Sequence, residues 1–218
     1  MENVLDIYTA KPDPARPLVC LDEFSKQLLS EVAPPIAPRP GTKESPGQPA
    51  RSDAEYVREG SASAFMIAMP HLGRREVFVG KEARRTALDY ADAIAFLCDE
   101  IFPEAEKITL VHDNLNTHDV ASLYKRFEPA KARRLAAKID VHFTPKHGSW
   151  LNMAEIEIAL LSRSALQKRI ASVEDFRTIV AANVERRNKT PRPINWQFTS
   201  HDARIKLKRF YPDIPTLH

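Results

Sequence analysis

Apolar positions along this chain fall into short blocks. Their spacing alternates between the two-residue period of a strand and the three-to-four-residue period of a helix. The densest block is Lys107 to Asn114 (KITLVHDN). Its run of Ile108, Leu110 and Val111 suits a central strand covered on both faces. Ile139 to Phe143 predicts a second short strand, after which Pro145 and Gly148 break the chain. From Trp150 the spacing turns helical, with Glu155 in the first turn. Upstream, Pro17 to Phe24 (PLVCLDEF) predicts a strand with Leu18, Cys20 and Asp22 on one face and Val19, Leu21 and Glu23 on the other. Ser61 to Met69 and Glu76 to Val79 predict two more strands joined by a turn at Gly73, completing an antiparallel meander of three. Helices are expected over Arg84 to Ile101, Asp119 to Phe127, Pro129 to Lys138 and Val173 to Arg187.

This order is not a strict strand–helix alternation, and it predicts an α/β protein with a mixed sheet flanked by helices. Residues 1–16 are polar and proline-broken, so they are expected as an extended lead-in to one domain over 17–187. Within that domain, 34–53 hold six prolines and two glycines and almost no large apolar residue, which predicts an exposed loop. Residues 188–218 form a proline-broken, basic tail.

The 218 residues are 43% hydrophobic and 28% charged, an ordinary globular composition. No apolar run reaches the roughly 18 residues of a membrane span, and no signal sequence opens the chain. The cysteines, Cys20 and Cys98, lie in apolar contexts without metal-ligand spacing, as buried thiols of a reducing cytoplasm. The net charge of +3 is uneven. From Arg163 onward there are 12 Lys or Arg against 5 Asp or Glu, while the rest of the chain is acidic. Such a basic end suits a polyanion, and a solvated helix surface is the plainer reading.

Asp22, Asp113 and Glu155 stand at sheet-end or helix-start positions. Carboxylates on separate elements suit hard divalent cations, which choose oxygen ligands and in pairs support phosphoryl transfer. Each has a plainer role open to it. Asp22 could face water from an edge strand, and Glu155, three residues after Asn152, could close a capping box. Glu157 points about 200° away from Glu155 on a helix and cannot share its role. His118, Lys146, His147, Trp150 and Asn152 surround the same strand ends and are candidate DNA contacts, although each alone is more often a turn or packing residue, and His112 and His142 read as core histidines. No zinc, P-loop, dinucleotide or serine-nucleophile motif is present.

VHDN, NTH and HFTPKHGSWLNMAEIE resemble the catalytic part of insertion-sequence transposases of the bacterial branch of the Tc/mariner superfamily. In that family a strand ending in Asp-Asn precedes a TP-x-H-x-x-W-L-N-x-x-E turn and helix. The LDE around Asp22 matches the family's first acid, and EYVREGSASAF its second-strand region. The resemblance implies a ribonuclease-H-like fold, a DDE triad of Asp22, Asp113 and Glu155, and two Mg²⁺ or Mn²⁺ ions. It also implies double-stranded DNA as substrate, a homodimer in a synaptic complex, a TA target and a bacterial, nucleoid-associated site of action. Arg186, Arg187, Lys189, Lys206, Lys208 and Arg209 are expected to meet backbone phosphates. The 41 residues between Asp113 and Glu155 exceed the spacing usual across the superfamily. The family's helix-turn-helix region has no counterpart before Asp22, so a catalytic half served by a separate recognition module is expected. The rivals are a catalytically silent DNA-binding remnant and a ribonuclease-H-like nuclease that cuts without joining.

Overall fold

The computed structural model describes residues 1–34, 36–42, 45–51, 54–114, 119–146 and 148–211. Its first element, α1 (Glu2–Thr9), corrects the expected extended lead-in, because Val4, Leu5 and Tyr8 are buried on one helical face. Three strands follow: β1 (Leu18–Glu31), β2 (Tyr56–Met69) and β3 (Arg74–Phe78). They pair antiparallel as the expected meander. Both β1 and β2 run further than the hydrophobic pattern indicates. Their distal halves pair with one another while largely exposed, so the sequence there carries little apolar signal. A bulge between Leu28 and Leu29 faces Gly60, whose φ of 103° is a backbone conformation that favours glycine. Between these strands, bridges Ile36–Arg51 and Arg39–Gln48 narrow the neck of the proline-rich loop.

The next helix, α2 (Ala87–Phe96), starts later than expected. Thr86 caps it, its side chain and that of Asp89 each taking the other's backbone amide, and a π turn over Leu97–Ile101 ends it. Then come β4 (Ile108–His112), α3 (Ala121–Arg126), α4 (Pro129–Lys138) and β5 (Ile139–Phe143). Both β4 and β5 lie parallel to β1, which gives a five-stranded sheet in the order β3-β2-β1-β4-β5. The remaining helices are α5 (Ala154–Ser164), α6 (Val173–Asn188) and α7 (Ser200–Lys206).

Alternation along β1 divides the core into two layers. Val19 and Leu21 pack with Tyr90 and Ile94 of α2, Leu123 of α3 and Leu135 of α4. Leu18, Cys20 and Phe24 face the other way, toward α1, α5, α6 and α7. Cys20 and Cys98 therefore sit in opposite layers as free buried thiols, and burial pushes Cys20 up to about 12 and Cys98 to about 11. The basic tail is also more than an appendage. A Thr199–Asp202 capping box starts α7, Ala203 is buried in the core, and Arg204 holds Glu2 of α1 through two bonds of 2.7 and 2.8 Å. No helix among the described residues is long and apolar enough to cross a membrane.

Candidate active site

The parallel register of β1 and β4 ends with Cys20 opposite Val111, both in the layer that α5 covers. Asp22 lies two positions further along β1, and Asp113 two positions beyond Val111, just past the end of β4. The same parity assigns both to the α5 face of the sheet. Asp22 is half-buried, and its Oδ1 accepts the Glu23 amide at 2.9 Å.

Asp113 is the first residue beyond β4 and its backbone is pinned. The buried His112 ring bonds the Asp113 carbonyl through Nδ1 at 2.6 Å and the Tyr90 hydroxyl through Nε2 at 3.2 Å. Since a carbonyl only accepts, Nδ1 carries a proton in this bond. The Thr144 amide donates to the His112 carbonyl at 3.0 Å, holding the turn after β5 against the same strand end.

Glu155 arrives on the first turn of α5, and it does not close a capping box. The Asn152 Oδ1 takes the Ala154 amide at 3.1 Å, and its Nδ2 reaches across to the Leu21 carbonyl of β1 at 2.8 Å. Asn152 is thus a buried strut between the start of α5 and the residue before Asp22. The Glu155 carboxylate takes no hydrogen bond or ion pair among the described residues. Tyr8 adds a second strut, donating to the Leu151 carbonyl at 2.6 Å. The sequence reading missed Tyr8, although Val4, Leu5 and Tyr8 already carried helical spacing. Replacing Asn152 by Ala leaves the Leu21 carbonyl unsatisfied and should cost about 1–3 kcal/mol in a denaturant titration. Activity should fall about 10–100-fold, as for other groups that orient a site from behind.

Asp22 lies on β1, Asp113 follows β4 and Glu155 opens α5, and among the described residues no three His, Cys, Asp or Glu side chains close on a common ion. As donors they offer only oxygens, half-buried, which fits a hard divalent cation that keeps part of its water.

Glu157 points away from Glu155, as the helical angle requires, into a buried ion pair. Arg75 meets it at 2.9 Å through Nε and 3.3 Å through a second nitrogen, and Arg187 also bonds both of its oxygens. Arg187, expected at a phosphate, is therefore drawn inward. Trp150 stays 49% exposed, edge-on to Phe198 at 6.1 Å, and Lys206 lies 5.7 Å from the same Phe198 ring. Lys146, Arg186 and Lys208 are exposed, Lys189 pairs with Glu185 at 3.0 Å, and Arg209 is exposed near the end of the described chain. His118 and His147 lie outside the described residues.

Residues 17–177 match the family described as DDE superfamily endonuclease, and the chain belongs to that family. Endonucleases of this superfamily generally use divalent metal ions. The fold is shared with two solved structures. One, titled "Crystal structure of the Mos1 Strand Transfer Complex", aligns with a TM-score of 0.53 at 16% identity over 84% of this chain and 52% of that one. The other, "Mos1 transposase paired-end complex with left transposon end", aligns with a TM-score of 0.50 at 17% identity over 86% of this chain and 59% of that one. The chain thus spans between half and three-fifths of these structures. The fold is ribonuclease-H-like, as expected. No curated protein matches the chain.

Proposed function

We propose that this protein is the catalytic domain of a transposase, cutting DNA at the ends of an insertion sequence and joining them to a target. What supports the reading is that Asp22 lies on a central strand, Asp113 just beyond its parallel neighbour, and Glu155 on the helix that Asn152 ties to that strand. Membership of the DDE endonuclease family supports it, as do the titles of the two structures that share the fold. Asp22, Asp113 and Glu155 would together hold Mg²⁺ or Mn²⁺, two ions on this reading. When bound, such ions would lower the pKa of an attacking water and stabilise the departing oxygen. The carboxylates offset the charge of both ions, and the Asn152 and Tyr8 struts fix where Glu155 stands.

Cleavage of a phosphodiester would leave a 3′-hydroxyl, which then attacks a target phosphodiester in the same site. Lys146, Trp150, Lys206 and Lys208 would line the approach of duplex DNA. A homodimer pairing two ends, a partner module for end recognition and action on the bacterial nucleoid belong to the same reading. Incubating the protein with a labelled duplex already carrying a free 3′-hydroxyl end should give joined products in Mg²⁺ or Mn²⁺. Cutting of an intact duplex without any joining would instead identify a nuclease. Binding without either would identify a silent remnant.

A further inference from the structure

A cavity of about 660 Å³ opens between α5, α6 and the segment after α6, and four arginines line it: Arg75, Arg186, Arg187 and Arg192. Its only acidic lining residue is Glu157, whose two oxygens are already taken by Arg75 and Arg187. The floor, two arginines on one glutamate, therefore keeps a net positive charge, and the rim adds to it. Arg186 and Arg192 are exposed and form no ion pair with any carboxylate among the described residues.

The position of Arg192 is set by the backbone. Its amide bonds the Gly73 carbonyl at 3.3 Å, and the Ile194 amide bonds the Pro70 carbonyl at 2.9 Å. Gly73 has a φ of 63°, and a Cβ there would fall 2.3 Å from the Arg192 carbonyl carbon. The chain passes too close for any other residue. At 100° per residue, Ile156, Leu160 and Glu157 of the cavity wall lie about 100°, 140° and 200° around α5 from Glu155.

The geometry points to this cavity as a second DNA contact, a site for a backbone phosphate of duplex DNA held on the far flank of α5 from the carboxylates. It rests on the reading of the protein as a DNA-acting enzyme, and extends it by locating where duplex beyond the reacting phosphate is gripped. Two guanidinium forks free to move over a fixed, positively biased floor match the oxygens of a phosphodiester, which guanidinium engages in paired hydrogen bonds.

The test is binding of a labelled duplex in EDTA across a salt series, with no metal and hence no chemistry. The protein is compared with Arg186→Ala/Arg192→Ala and with a control pair, Lys125→Ala/Arg133→Ala, which removes equal charge from α3 and α4. Each lost phosphate contact lowers the slope of log affinity against log salt by about 0.9, so the cavity pair should lower it by about 2 and the control pair by much less. An unchanged slope in the cavity pair, or equal loss in both pairs, overturns the site. Cleavage by the unsubstituted protein is scored separately. Cutting with an unchanged slope sinks the cavity and spares the enzyme reading, whereas the expected slope change without cutting does the reverse.

Discussion

Replacing Asp113 by Asn should abolish metal-dependent cleavage while leaving the melting temperature close to that of the unsubstituted protein. The substitution keeps the size of the side chain and removes its charge. The backbone at this position is held by the His112 ring on the Asp113 carbonyl and by the Thr144 amide on the His112 carbonyl. What disappears is one of the negative groups that would offset the charge of the ions. Removing a single preorganised electrostatic group from an active site costs about 10²–10³-fold in rate, and Asp22→Asn and Glu155→Gln should cost at least as much. The assay is cutting and joining of a labelled DNA end in Mg²⁺ or Mn²⁺. Cleavage by Asp113→Asn at the unsubstituted rate would remove the triad from the mechanism.

The largest effect on stability should come two residues further along α5. Glu157 is 5% exposed and Arg75 3% exposed, and they meet each other in the interior. Burial lowers the pKa of the Arg75 guanidinium, and the Glu157 charge acts to raise it again. Glu157→Ala leaves that cation buried without its carboxylate, held only by the Gly73 carbonyl and the Asn188 side chain. Breaking a buried pair from one side costs about 3–5 kcal/mol, whereas replacing both partners with apolar residues of similar volume is often neutral. For a chain of this length the single variant should melt roughly 10 °C lower. The double variant Arg75→Met/Glu157→Leu should recover most of the loss. Thermal unfolding followed by circular dichroism reads both, and a Glu157→Ala protein melting within about 2 °C of the original would show that the pair carries little of the stability.

The contrast between Glu155 and Glu157 shows what the sequence could and could not disclose. Their separation on a helix excluded a shared role by angle alone, and the structure places one beside the sheet end and the other among arginines. Which acid had which fate was not readable from spacing, because the arginines come from β3 and α6, distant in the chain. The central strands were legible because β4 is buried on both faces and carries its apolar residues in one run. The outer halves of β1 and β2 were not, because exposed strands pair through backbone groups that any sequence supplies. Asn152 had suggested a capping box, yet its amide spans to β1, a contact that local pattern cannot encode. In the first segment, two prolines and several charges obscured a single helical turn's worth of apolar residues, Val4, Leu5 and Tyr8, which the core uses fully.

That first helix has a consequence for when the protein becomes able to act. α1 is made 143 residues ahead of the Leu151 carbonyl and 202 residues ahead of Arg204, and it also packs on the late Trp196, edge-on to Tyr8 at 5.0 Å. Synthesis at about 5–20 residues per second leaves α1 waiting roughly ten seconds or more for Arg204. Until α7 emerges, the strut that seats the Glu155 helix has its donor but not its support. A nascent chain would thus carry all three acids and still be unable to cut the DNA around it.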